Sequence, residues 1–98
     1  MWTLSVCIPI YNSDVRTLVN ALCRQIDDLN TAHIDTILID DASASAFNST
    51  NQFTHSKVRL IQLDQNIGRS KIRNAFLQYT TASYLLFIDG ESTVANPF

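Results

Sequence analysis

The sequence predicts an α/β domain: a parallel sheet of about four strands, order 3-2-1-4, with crossover helices on both faces. Three observations carry this. Apolar runs rich in β-branched residues alternate with segments of helical periodicity. The runs are near-continuous, as in strands covered on both faces. The chain has 98 residues, 46% hydrophobic and only 16% charged, which makes one small domain with a modest core and excludes disorder. Right-handed crossovers then select the strand order, with the first two helices on one face and the third on the other.

Leu4 to Ile10 is the first strand, and Pro9, which has no N–H for a ladder, belongs near its end. Asn12-Ser13-Asp14 offers capping oxygens for a helix. Val15, Leu18, Val19, Leu22, Ile26 and Leu29 follow at helical spacing, and Asp27-Asp28 would oppose the dipole and fray the C-terminal end. Ile34 to Ile39 is the second strand, ended by Asp40-Asp41. Residues 42–56, rich in Ala, Ser, Asn and Thr, read as a loop with a short, weak helix. Val58 to Leu63 is the third strand, and Asp64 to Gly68 is turn chemistry. Ile72, Ala75, Phe76 and Tyr79 mark a third helix. Tyr84 to Ile88 is the fourth strand, followed by Asp89-Gly90-Glu91 and an irregular tail.

Composition narrows the function. The net charge of −2 argues against a dedicated nucleic-acid binder, which would carry a basic stripe. Two cysteines inside apolar segments are expected to be buried, reduced thiols rather than a disulfide scaffold. Met1-Trp2-Thr3 has no basic region before an apolar run, and no stretch is long enough for a membrane span, so a cytoplasmic domain is expected. Walker and G-x-G-x-x-G loops are absent, and neither His33 nor His55 has partners at zinc spacing.

In an open α/β sheet, ligands bind beyond the strand C-termini where the strand order reverses, here between the first and fourth strands. Tyr11-Asn12, Asp40-Asp41 and Asp89-Gly90-Glu91 all fall on that edge. Four of nine acidic residues on one rim make either a solvated acidic edge or a site for a hard divalent cation. Asp89 and Glu91 are two apart, so in an extended segment they point to one side. Three of seven basic residues, Arg69, Lys71 and Arg73, open the third helix, which makes either a solvated basic face or a place that suits an anion.

Four motifs occur in order: Ser5-Val6-Cys7-Ile8-Pro9-Ile10-Tyr11-Asn12, Ile37-Leu38-Ile39-Asp40-Asp41-Ala42-Ser43, Asn66-Ile67-Gly68-Arg69-Ser70-Lys71-Ile72-Arg73-Asn74, and Leu86-Phe87-Ile88-Asp89-Gly90-Glu91. Together they resemble the nucleotide-binding half of inverting, family-two glycosyltransferases of the Rossmann-like GT-A fold, over nearly the whole chain. The resemblance implies that Pro9, Tyr11 and Asn12 meet the nucleotide, with Tyr11 stacked on uracil. It implies that Asp41 accepts a hydrogen bond from the base while Asp40 supports that turn. Gly68 and Arg73 would lie near the base or diphosphate. Asp89 would approach the ribose or metal, and Glu91, where the family has Asp, would bind Mn²⁺ or Mg²⁺ on the diphosphate.

The resemblance also implies what is missing. Residues 1–98 correspond to the nucleotide-sugar-binding half, and the acceptor-binding half, with the base that deprotonates the acceptor hydroxyl, is absent. No catalytic residue is therefore expected in this chain, which would bind a nucleotide sugar, UDP-linked, without transferring it. The fourth strand would be an unprotected edge, open to homodimerisation. The alternative is a non-catalytic, truncated nucleotide-binding or interaction module.

Overall fold

The computed structural model describes residues 3–29, 33–44, 53 and 55–88, with Arg69 described by its backbone alone. Most of the segment expected to form the short second helix, and all of Asp89-Gly90-Glu91 and the tail, lie outside the described residues. The elements are β1 (Leu4–Ile10), α1 (Arg16–Leu29), β2 (Ile34–Asp40), β3 (Val58–Gln62), α2 (Arg69–Ala75), a 3₁₀ turn (Phe76–Gln78) and β4 (Tyr84–Phe87). The sheet is parallel throughout, in the expected order β3-β2-β1-β4.

Alternation along β1 and β2 divides the core into two layers. Val6, Ile8, Ile10, Ile34 and Leu38 pack with Val15, Leu18, Val19, Leu22, Cys23 and Ile26 of the α1 segment. Cys7, Ile37 and Ile39 point the other way, onto Ile72 and Phe76. Phe76 is fully buried and meets Phe87 edge-to-face, with ring centroids 5.7 Å apart. Among the described residues the two faces are covered unequally, because α1 runs for 14 residues and α2 for only 7. The third helix is shorter than its periodicity suggests. After Ala75 the backbone tightens, and the Tyr79 N–H donates to Phe76 O three residues back (3.0 Å), so Tyr79 leaves the helix.

The termini of α1 are held by charge. Asp14 Oδ1 accepts the Arg16 N–H (3.0 Å), and the Arg16 guanidinium folds back onto the same carboxylate at 2.8 Å. Those hydrogen bonds hold the Asp14 carboxyl below its ordinary value of 3.8. At the other end the helix continues through Asp27-Asp28 to Leu29 instead of fraying. Asp27 is engaged there by His55 Nε2, 3.2 Å from each carboxylate oxygen. His55 Nδ1 accepts the Lys57 N–H (3.1 Å), so the ring proton that faces Asp27 belongs to Nε2.

Pro9 shapes the sheet at its functional end. Odd-numbered residues of β1 turn their backbone polar groups toward β4: Thr3 O accepts from Tyr84, and Cys7 O accepts from Ile88. The β1–β4 register ends at Cys7 and Phe87. The next residue of β1 on that side is Pro9, which has no N–H to offer. On its other side β1 stays paired with β2 through Ile10 and Asp40. Pairing with β4 thus stops three residues short of the end of β1, at the point where the strand order reverses.

Among the described residues no helix is long and apolar enough to cross a membrane. Both cysteines are buried free thiols. Burial, with Asp35 nearby, pushes the Cys7 thiol from 9.0 up to about 11. The unfolded chain therefore loses this proton at lower pH than the folded one, and Cys7 contributes a loss of stability as pH rises from about 9 to 11. We expect urea midpoints to fall across that window, and Cys7→Ala to flatten the slope. In the native protein neither thiol should react with an alkylating reagent at pH 7, and both should react in denaturant. Phe76→Ala should cost about 3–5 kcal/mol of unfolding free energy by urea titration, since its ring fills the α2-side core.

Candidate functional site at the strand C-terminal edge

Three loops meet beyond the C-terminal ends of β1, β2 and β3, and two adjacent carboxylates join them. Asp41, 5% exposed, leaves β2 with its N–H on Ile10 O (2.8 Å). Its Oδ1 accepts the Ile67 N–H (2.7 Å) and its Oδ2 the Gly68 N–H (3.0 Å), while its carbonyl accepts from Asn66 Nδ2 (3.1 Å). One residue therefore fixes the whole Asn66-Ile67-Gly68 turn ahead of α2. Asp40, 1% exposed, accepts the Ser43 N–H on Oδ1 (2.8 Å), and its Oδ2 is buried without a partner. Ser43 Oγ in turn accepts the Asn12 N–H (2.8 Å), and Asn12 Oδ1 accepts the Ala44 N–H (2.8 Å).

Backbone strain collects on the same edge. The residues with positive φ among those described are Asn12 (49°), Ala42 (60°) and Gly68 (85°), and each lies in one of these three loops. Asn tolerates the left-handed region, but Ala does not, so the hydrogen bonds on both sides of Ala42 must hold it there. Gly68 combines its φ with ψ 164°, a region open essentially to glycine alone. Its chain neighbours aside, no atom of the described residues lies within 4 Å of where a Cβ on Gly68 would stand, which leaves room beside the backbone at this point.

The sequence-predicted site residues are brought together up to the limit of the described chain. Pro9 lies near the end of β1 and Tyr11 just after it, 54% exposed, with its carbonyl accepting from Ser13 Oγ (3.2 Å). Asn12, Asp40, Asp41 and Gly68 form the network above. Arg73 is exposed and holds its guanidinium 4.7 Å from the centroid of the Phe87 ring, beside the end of β4. Lys71 is exposed as well. Asp89 and Glu91 lie outside the described residues, and among those described no group of three His, Cys, Asp or Glu could hold a metal. Ser43 is the member that sequence reasoning missed. Its position two residues after Asp41 in the second motif is the signal that could have marked it.

The two acids differ in their hydrogen bonding. Both oxygens of Asp41, expected to meet a base, accept backbone amides. Asp40, expected to support the turn, does so through one oxygen and keeps the other unpaired.

The family model "Glycosyl transferase family 2" matches residues 5–96. The chain belongs to that family. It is 28% identical over 99 residues to the poly(ribitol-phosphate) β-N-acetylglucosaminyltransferase TarS of Staphylococcus aureus, covering 96% of this chain and 17% of that protein. It is 24% identical over 94 residues to the amylovoran biosynthesis glycosyltransferase AmsB of Erwinia amylovora, covering 91% of this chain and 31% of that protein. The crystal structure of S. aureus TarS 1–349 superposes with a TM-score of 0.71 at 25% identity, covering 93% of this chain and 28% of that one. The mannosyltransferase PcManGT of Pyrobaculum calidifontis, solved with GDP-Man and Mn²⁺, shares the fold with a TM-score of 0.66 at 16% identity, covering 95% of this chain and 28% of that one. The chain thus spans less than a third of each of these relatives and is a family-two glycosyltransferase fragment with the GT-A fold.

Two substitutions test the edge. Asp41→Ala should speed hydrogen exchange of the Ile67 and Gly68 amides by at least about tenfold, since each loses a charge-assisted bond of roughly 1.5–3 kcal/mol. Gly68→Ala should destabilise by about 1–3 kcal/mol through backbone strain alone, because the space for the methyl is open.

Proposed function

We propose that this chain is the donor-binding part of an inverting glycosyltransferase and takes a nucleotide sugar, UDP-linked, on the C-terminal edge of its sheet. The observation that carries the reading is that the three strained loops among the described residues are tied together through Asp40 and Asp41 at the C-terminal ends of the strands. Strain of this kind persists where a binding edge must be held in one shape. Tyr11, exposed at the end of β1, stacks on the base. Asp41 supplies the acceptor for the base through the remaining lone pairs of its carboxylate, and Asp40 supports the turn beside it. Gly68 lets the nucleotide lie close to the backbone, and Arg73, oriented by Phe87, offers charge-assisted bonds to the diphosphate.

Asp89 and Glu91 follow directly on β4 in sequence and are proposed to hold Mn²⁺ or Mg²⁺, as oxygen ligands suit either ion. PcManGT, with its GDP-Man and Mn²⁺, supports a divalent ion on this fold. Such an ion would supply charge stabilisation for the departing nucleotide diphosphate. This chain's own residues then bind and orient the donor. The chain spans less than a third of these relatives, and the proposal gives its residues donor binding only, with no residue assigned as the base that takes the acceptor proton. Tyr84 (64% exposed) and Leu86 (48% exposed) leave β4 an uncovered apolar edge, through which the isolated chain would self-associate.

Thermal melting with UDP, GDP and ADP, each with and without Mn²⁺, tests the reading. A nucleotide at about 100 times its dissociation constant adds roughly 2.7 kcal/mol, a shift of several degrees in a domain this small. We expect a Mn²⁺-dependent shift with UDP that Asp41→Ala weakens. Glu91→Ala should remove only the part that needs metal. No shift with any of the three nucleotides would overturn the proposal.

A further inference from the structure

At the C-terminal end of β4, one aromatic ring is held by two side chains from a single turn of α2 and its 3₁₀ extension. Arg73 and Phe76 are three residues apart, so both reach the same side of the helix. Phe76, fully buried, meets the Phe87 ring edge-to-face, with the ring planes at 79°. Arg73 lies over the face of the Phe87 ring, its Cζ 4.7 Å from the centroid. The core residue thus fixes the ring, and the ring offers its electron-rich face to the guanidinium. Lys71, two positions earlier, lies on another side of the helix.

A contact through the face leaves the edges of the guanidinium alone. Its five N–H donors lie in its own plane, in a fork that matches two oxygens of a phosphate. The Arg73 side chain is exposed, and among the described residues no carboxylate pairs with it. Arg16 and Arg59, by contrast, commit N–H groups to the Asp14 carboxylate and the Tyr79 carbonyl. An unheld arginine samples many rotamers, and a ligand must order it on binding. Phe87 does part of that ordering beforehand. The β1–β4 register ends at Phe87, and Asp89 follows two residues later, so the ring stands where β4 runs out at the strained edge.

We infer that Phe87 is a positioning residue for the diphosphate of the donor, holding the Arg73 guanidinium by its face and leaving the N–H fork for phosphate oxygens. The inference rests on the donor-site reading and adds how one of its cations is oriented. If the fork met the nucleobase instead, Phe87 would matter equally to a nucleoside that has no phosphate.

UDP and uridine are therefore compared on the ¹⁵N-labelled 98-residue chain by amide titration at one fixed Mg²⁺ concentration. Phe87→Leu keeps an apolar side chain but no ring face. It should weaken UDP about two- to fivefold and leave the uridine affinity unchanged. Phe87→Tyr keeps the face and should bind UDP as the wild type does. Arg73→Met should weaken UDP about tenfold or more. In that background Phe87→Leu should weaken UDP no further, the non-additivity that direct coupling requires. Phe87→Met is titrated beside Phe87→Leu, and amide dispersion is compared for both, so that a variant that does not fold cannot decide the result. A purely structural Phe87 would lower both affinities together, with or without Arg73. The inference fails if uridine weakens as much as UDP, if UDP keeps its affinity in Phe87→Leu, or if the two substitutions add. A wild-type chain that does not bind UDP overturns the donor-site reading and this inference with it.

Discussion

The Asp41 carboxylate sits where three segments of backbone would otherwise be independent. β2 ends at this residue, β1 reaches it through Ile10, and the turn into α2 hangs from its two oxygens. A buried carboxylate is tolerated only when its lone pairs are satisfied, and backbone amides do this without adding flexible partners. The consequence is mutual. The amides stabilise the charge, and the charge fixes where α2 starts, and with it Ile72, Phe76 and the whole second core layer. Gly68 then adopts a conformation that other residues would resist, because its amide must point at Asp41.

The rest of the edge follows from that anchor. Asp40 draws the Ser43 amide inward, Ser43 holds Asn12, and Asn12 holds Ala44. The chain of bonds runs from the end of β1 to the loop after β2 and explains how Asn12 and Ala42 are kept at positive φ. Pro9 contributes from the other side by withholding an N–H from β4. The edge is therefore cross-linked between β1, β2 and α2, at the switch point where an open α/β sheet offers a site to a ligand.

Among the described residues, unequal coverage of the two faces leaves a polar region at the N-terminal ends of the strands. A 14-residue helix covers one face, while a two-turn helix closed by a 3₁₀ turn covers only the C-terminal part of the other. Below it the residues of β1 and β2 change from Cys7 and Ile37 to Ser5 and Asp35. The pattern is consistent across levels: where the helix stops, the strands stop being apolar.

Much of this was legible in the sequence. Near-continuous apolar runs, helical spacing in two segments and the rule of right-handed crossovers determined the strand order, the two-layer core and the edge where Tyr11, Asp40, Asp41, Gly68 and Arg73 gather, because periodicity and chain connectivity are local properties. What each polar side chain does there was decided only in three dimensions. Asp40 and Asp41 are neighbours of identical chemistry, and only the partners brought from residues 43, 67 and 68 distinguish an acid whose two oxygens are engaged from one with an oxygen to spare. The end of the third helix and the engagement of Asp27 by His55 likewise depend on contacts between residues distant in the chain, which no local pattern encodes.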